Sequence, residues 1–218
     1  MLERAKDLVS GFGPHPHYDA EYRPQEEAYW SHLPAWIWMD QRPAQRSLDV
    51  GPGFGTLLAY AHLATGAVAH GFDFDPVYMT EGLRSLDGIE WAQGNIELDE
   101  IPWPGPFDFI VFTEVLEHLN FRAEPTLRKL AAALAPGGRI YLSTPDAAQW
   151  GVTTAYYASY DELPQPSPDR RHEVIDDHIW QFSRDELESV VAASGLAIVR
   201  FAYSPGSFGN RHFNLTLA

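Results

Sequence analysis

The chain has 218 residues, enough for one sizeable domain or two small ones, and its hydrophobic fraction of 45% suits a packed globular core. It contains no cysteine, which excludes disulfides and thiolate metal sites, and its formal net charge of −15 argues against extensive nucleic-acid binding, because an acidic surface repels phosphate backbones. No apolar run is long enough to span a membrane and the N-terminal MLERAKDLVS does not read as a signal peptide, so a cytoplasmic location is expected.

Residues 1–46 read as a polar and aromatic lead-in, interrupted by Gly11, Gly13, Pro14, Pro16 and Pro24. Tyr29, Trp30, Trp36 and Trp38 cluster toward its end, and this part is expected to pack as helix on a domain spanning 47–218. From Ser47 onward short apolar runs alternate with helical stretches. The expected strands are SLDV, VAHGFD, IEWAQ, FDFIVFT, RIYLSTP, LAIVRFAY and HFNLTL, with helices near 54–65, 76–86, 121–135 and 183–194. Such alternation predicts an α/β fold, an open sheet with helices on both faces. Pro136-Gly137-Gly138 is expected to end one helix and turn into the next strand. Residues 146–177 carry Pro164, Pro166 and Pro168 and form a connection long enough to act as a lid.

The segment LDVGPGFGT, Leu48 to Thr56, sets Asp49 and three alternating glycines, Gly51, Gly53 and Gly55, on the end of the first apolar run. A strand, a tight glycine turn and a helix in that order let a ligand approach backbone that has no Cβ in the way, and the helix start offers unpaired N–H groups. Open α/β sheets bind ligands at the C-terminal ends of their strands. That brings this turn, Asp73 after VAHGFD, Asn95 and the segment after FDFIVFT to one crevice. A carboxylate at Asp73 suits ribose hydroxyls. A glycine turn with a ribose acid also suits a nicotinamide cofactor; the later segments decide against it.

LDVGPGFG, GFDFDP, GNIELDEIPW, FDFIVFTEVLEHL, LAPGGRIYLSTP and FSRDELESVVAASGLAIV, in this order, make the chain resemble a class I S-adenosylmethionine-dependent methyltransferase over roughly residues 47–203. The resemblance implies a Rossmann-like, seven-stranded mixed sheet with one antiparallel strand. It also implies a site for S-adenosyl-L-methionine built from Asp49, Gly51, Pro52, Gly53, Phe54, Asp73, Phe74, Asn95, Ile96 and Thr113. In that carry-over Gly51 and Gly53 pass beneath the methionine part and Asp73 holds the ribose hydroxyls. Phe74 borders the adenine, Asn95 stands at the adenine amine in a place that is often Asp, and Ile96 stacks beside it.

Glu114, Glu117 and His118 follow FDFIVFT. A helix there would put positions i, i+3 and i+4 on one face, two carboxylates and an imidazole suited to a divalent cation. The same triplet also fits capping carboxylates and a histidine packed under a cofactor. Further on, Asp177-His178-Ile179-Trp180-Gln181-Phe182-Ser183-Arg184-Asp185-Glu186 resembles a segment of small-RNA 3′-terminal 2′-O-methyltransferases. Those enzymes pair it with E-x-x-E-H and with a T-P-N turn, matched here with one change by Thr144-Pro145-Asp146. Ubiquinone-pathway O-methyltransferases, whose substrates are catechols, are similar in E-x-x-E-H and in a later His before a helix. The resemblance implies that Glu114, Glu117, His118 and His178 bind Mg²⁺, Mn²⁺ or Zn²⁺ beside one oxygen of a vicinal diol. His118 or His178 as a metal-free general base is the alternative.

Trp30, Trp36, Trp38, Trp150, Tyr156, Tyr157 and Tyr160 lie in segments expected to cover the crevice, where they form an aromatic wall or simply pack. His15 and His17 read as part of a mobile segment, His172 as a solvated side chain, and Arg170 and Arg171 as an exposed pair. The first reading is a metal-assisted O-methyltransferase of a small-molecule acceptor. The second is 2′-O-methylation of an RNA 3′ end, favoured by the local motifs and opposed by the charge. The third is a cofactor-binding regulatory protein without catalysis.

Overall fold

Seven strands form one sheet in a computed structural model that describes residues 1–12, 16–75, 77–150, 156–205 and 210–218. They are β1 (Arg46–Val50), β2 (Val68–Asp73), β3 (Ile89–Gln93), β4 (Phe107–Thr113), β5 (Leu134–Pro145), β6 (Ile198–Ser204) and β7 (His212–Leu217). Their spatial order is β3-β2-β1-β4-β5-β7-β6. β7 runs antiparallel to both of its neighbours, and the other pairs are parallel. Each expected strand is present, and the antiparallel one is HFNLTL. β4 is buried on both faces from Phe109 onward, as the apolar run Phe109–Phe112 requires of a central parallel strand.

The helices are α1 (Leu2–Gly11), α2 (Glu27–Trp30), α3 (Leu33–Asp40), α4 (Thr56–Thr65), α5 (Glu81–Arg84), α6 (Ala123–Ala133), α7 (Ala147–Trp150) and α8 (Arg184–Ala193). One core packs Leu48, Phe112, Leu142 and Phe213 of the sheet against Leu127 of α6 and Leu187 of α8. The other packs Val111 and Tyr141 against Ala5 of α1, Ile37 of α3 and Leu58 and Ala61 of α4. α8 begins where its sequence says it will: Ser183 and Glu186 form a reciprocal capping box. Among the described residues no helix is long and apolar enough to cross a membrane.

Three local expectations are corrected. The helix expected over 121–135 stops at Ala133, and LAPGG opens β5 instead of ending the helix. There the pairing with β4 shifts register between Phe107 and Phe109, and Gly137 adopts φ +81°, a bulge that glycine tolerates. The helix expected over 76–86 contracts to the single turn α5, started by Thr80 Oγ1 accepting from the Leu83 N–H; Pro76 lies outside the described residues. The chain after β4 is not α-helical: Glu114 has φ +54°, and only Leu116–His118 make a tight 3₁₀ turn.

The sheet order positions the site. From β1 the chain adds β2 and β3 on one side, then crosses to β4 and β5 on the other, so the order reverses between β1 and β4. The crevice outside their C-terminal ends is the binding place of such sheets. The glycine turn leaves β1 there and Glu114 leaves β4.

Candidate active site

Two cavities meet at Gly51 in this crevice. The first, about 50 Å³, is lined by Phe72, Asp73, Phe74, Asn95, Ile96 and Ile175. The second, about 240 Å³, is lined by Asp49, Pro52, Gly53, Phe54, Thr113 and Glu114, with Tyr22, Glu26 and Trp30 from the N-terminal segment. All ten residues expected at the cofactor line one cavity or the other.

Asp73 ends β2. Its Oδ2 accepts from the Gly53 N–H at 3.4 Å and its Oδ1 from the Asp75 N–H at 3.1 Å, which ties this strand-end carboxylate to the glycine turn. Burial pushes its carboxyl up to about 6. Asp49 is 2% exposed, and neither carboxylate oxygen has a hydrogen-bond partner among the described residues. Burial, with Asp73 nearby, pushes it well above the usual carboxylate range. An unpaired buried carboxylate is costly until a cationic ligand meets it. Asn95 lines the first cavity, and its Oδ1 accepts from the N–H groups of Glu97 and Leu98, so that oxygen is already engaged within the protein.

Glu97, behind Asn95, accepts from the backbone N–H groups of Asn120 and Phe121, and burial pushes its carboxyl up to about 7. Glu26 is raised to about 7 by burial too. A carboxyl raised in the folded state holds protons that the unfolded chain releases, so its stabilisation is present at low pH and lost as pH rises through its folded value. Burial lowers His70, His118 and His178, which act in the opposite sense only as pH falls toward their unfolded value. The ligand-free protein is therefore expected to be about 2 kcal/mol more stable at pH 6.5 than at pH 8, a rise in Tm of roughly 4–8 °C by scanning calorimetry. A Tm equal at the two pH values, or lower at pH 6.5 than at pH 8, would mean that the crevice carboxyls are already ionised in the folded protein.

Beyond Thr113 the expected helical face is replaced by a different construction. The left-handed turn at Glu114 sends its carboxylate to Ser143 Oγ, which donates to Oε1 at 2.7 Å, and to His212 Nδ1, 2.9 Å from Oε2. Glu117 is 1% exposed and accepts from Thr144 Oγ1 at 3.0 Å. Burial and the adjacent Glu114 carboxylate push its carboxyl well up. The later segment is fastened on top: the N–H groups of Ile179 and Trp180 donate to the Glu117 carbonyl at 2.7 and 3.1 Å. This sets the His178 ring edge-on to His118, with centroids 4.7 Å apart. Ligand atoms of Glu117, His118 and His178 all lie within 4.8 Å of one another. Glu114 stands beside Glu117 but outside that group, so three of the four expected ligands converge. His118 Nδ1 is also 3.3 Å from Asp176 Oδ1.

The two covering segments are ordered differently from expectation. Of residues 156–177, Val174, Ile175 and Asp176 cover the first cavity: Asn120 clasps the Ile175 backbone from both sides, and Arg171 pairs with Asp99. Tyr160 belongs to the core, where its hydroxyl donates to Glu124 and accepts from the Ala123 N–H. Trp36 stacks on His32 and Trp38 packs under Arg42, so neither is a crevice wall; Trp30 is. Tyr156 donates to Asp177, and Tyr157 lines a separate small pocket beside Phe121. The Trp150 side chain and His15 lie outside the described residues. His17, read as part of a mobile segment, lines the second cavity, whereas His172 is solvated as expected. Arg170 pairs with Glu173. Sequence reasoning missed Tyr22, Glu26, Asp176 and His212; they sit in no motif, and only the folded chain brings them to the crevice.

The profile of a family described as a methyltransferase domain matches residues 21–200. Over 159 residues the chain is 30% identical to the ubiquinone biosynthesis O-methyltransferase of Pseudomonas paraeruginosa, an alignment covering 68% of this chain and 67% of that protein. An S-adenosylmethionine-dependent methyltransferase from Mesorhizobium loti superposes with a TM-score of 0.64 at 18% identity, covering 87% of this chain and 97% of that one. The 1,6-didemethyltoxoflavin-N1-methyltransferase of Burkholderia thailandensis, solved with S-adenosylhomocysteine bound, superposes with a TM-score of 0.66 at 19% identity, covering 98% and 86%. With its sheet order, its glycine turn and its crevice all in agreement with that match, the chain belongs to the methyltransferase-domain family and is an S-adenosylmethionine-dependent methyltransferase.

Proposed function

We propose that the protein methylates one oxygen of a vicinal diol, of sugar or catechol type, on a small-molecule acceptor, with a divalent cation held by Glu117, His118 and His178 and flanked by Glu114. The observation that carries this reading is the convergence of ligand atoms of Glu117, His118 and His178 within 4.8 Å. The donor set fits a cation. Burial lowers both imidazoles, which keeps them neutral and able to ligate, and the raised Glu117 carboxyl holds a proton that a cation can replace. Mixed oxygen and nitrogen donors suit Mg²⁺, Mn²⁺ or Zn²⁺. Such a cation, when bound, lowers the pKa of an acceptor hydroxyl and fixes its position.

The chain's own residues supply the positioning. Asp176 behind His118 and Thr144 behind Glu117 hold those two side chains in orientation. Asp73 takes the ribose hydroxyls, Phe74 and Ile96 border the adenine, and Asp49, Gly51, Pro52, Gly53, Phe54 and Thr113 surround the methionine part. Val174, Ile175 and Asp176 shield the adenosine side from water. The O-methyltransferase name of the Pseudomonas relative agrees with an oxygen acceptor. An RNA 3′ end is less well supported, because Arg170, Arg171 and Arg211 are already paired with Glu173, Asp99 and Asp146.

The test is methyl transfer from labelled S-adenosylmethionine to a catechol, a sugar cis-diol, a monohydroxyl analogue and an RNA 3′ end, before and after chelation. Transfer to the small diols, lost on chelation and restored by added cation, is the expected result. Transfer that survives chelation would replace the cation by His118, paired with Asp176, as general base. Transfer to RNA alone would replace the acceptor class.

A further inference from the structure

We propose that Glu26, in the N-terminal segment, binds the α-ammonium group of the cofactor's methionine part, which makes that segment a wall of the cofactor site. Glu26 immediately precedes α2, is 2% exposed, and lines the same 240 Å³ cavity as Asp49 and the glycine turn. Tyr18 Oη and Thr56 Oγ1 both donate to its Oε1, each at 3.2 Å, and no described residue donates to Oε2. Thr56 is the first residue of α4, so these bonds anchor the carboxylate at the helix start behind the glycine turn, the end opposite the adenosine-side cavity.

Asp49, whose two oxygens have no hydrogen-bond partner among the described residues, faces the same space, and no described lysine or arginine lines it. A cavity walled by the buried carboxylates of Glu26 and Asp49 and by Glu114, with His17 as its one described basic side chain, calls for a cation. The methionine part carries one in its ammonium, and a charge-assisted N–H···O bond to Oε2 would satisfy the one Glu26 oxygen that the protein does not. Burial pushes the Glu26 carboxyl up to about 7 in the absence of that cation, even with Lys6 nearby lowering it. The sulfonium is the competing cation, and the two differ in which ligands carry them: S-adenosylhomocysteine keeps the ammonium and lacks the sulfonium charge, and 5′-methylthioadenosine lacks the amino-acid part altogether.

The inference rests on S-adenosylmethionine being the cofactor, and the same titrations separate the two claims. Calorimetry compares the wild-type protein with Glu26→Gln against S-adenosylmethionine, S-adenosylhomocysteine and 5′-methylthioadenosine. Glu26→Gln is expected to weaken the first two by about 10- to 100-fold, the effect of losing a hydrogen bond to a charged group, and to leave 5′-methylthioadenosine unchanged. Retained 5′-methylthioadenosine binding also shows that the variant is folded. Equal weakening of all three would make Glu26 merely structural, loss confined to S-adenosylmethionine would move it to the sulfonium, and no loss would remove it from the site; each overturns the proposal. If the glutamine variant does not fold, the same ratio is read from Glu26→Asp, whose shorter reach is expected to weaken S-adenosylhomocysteine selectively. Wild-type protein that binds none of the three would instead overturn the cofactor reading.

Discussion

Glu117→Gln and His178→Ala are each expected to lower kcat/KM by about 10²- to 10⁴-fold while leaving S-adenosylmethionine affinity unchanged. Neither change disturbs the fastening of the two segments. The bonds from Ile179 and Trp180 go to the Glu117 carbonyl, so the backbone clasp survives replacement of either side chain. Neither residue lines the cavity walled by Asp49 and the glycine turn. Loss of rate without loss of cofactor binding is the signature of groups acting on the acceptor. Glu117→Gln carries a second readout. The native carboxyl is buried, crowded by Glu114 and raised, so its ionised form destabilises the folded state as pH rises. The glutamine variant is therefore expected to unfold at higher denaturant than wild type above neutral pH while being far less active, the trade-off of a strained functional group. Steady-state kinetics, cofactor calorimetry and urea titration at two pH values measure all three quantities. Wild-type rates in both variants would end the assignment of this cluster to catalysis.

The sheet was legible because each strand is an apolar run near turn residues: all seven expected strands are present, with β5 starting earlier, at Leu134. That the candidate residues line one crevice was legible because each stands at or just beyond a strand end, where open α/β sheets gather such positions. Legibility failed where backbone geometry departs from a regular period. Glu114, Glu117 and His118 suggest a helical face, yet the left-handed turn at Glu114 breaks the period and hands that carboxylate to His212 and Ser143. Pro136-Gly137-Gly138 reads as a helix stop, although a bulged strand uses the same residues. Glu26 and His212 were invisible for another reason. They lie 88 residues before and 98 residues after Glu114, so no local pattern links them to it. Tyr160 shows the converse: an aromatic in a covering segment looks like a wall until its hydroxyl is found bonded inside the core.

Gly51→Ala is expected to destabilise the protein by about 2–5 kcal/mol, and the effect divides into two parts that can be measured separately. Gly51 has φ +66°, and an L-residue in that conformation costs about 1–2 kcal/mol. A Cβ built there also falls 2.4 Å from Val115 Cγ2, a clash whose relief costs about 1–3 kcal/mol more. Val115→Ala removes the clashing methyl and leaves its own Cβ at 3.7 Å, an ordinary contact. In a double-mutant cycle Gly51→Ala and Val115→Ala are thus expected to couple favourably by about 1–3 kcal/mol, with the conformational part unrecovered. Chemical denaturation of the four proteins supplies the numbers. Zero coupling would mean that Val115 moves aside freely and that the turn is selected for its φ alone. The functional consequence follows from where Gly51 stands, at the junction of the two cavities and opposite the turn that carries Glu114. A Cβ there presses on Val115, next in the chain to Glu114, so the double variant is expected to regain stability before it regains methyl transfer.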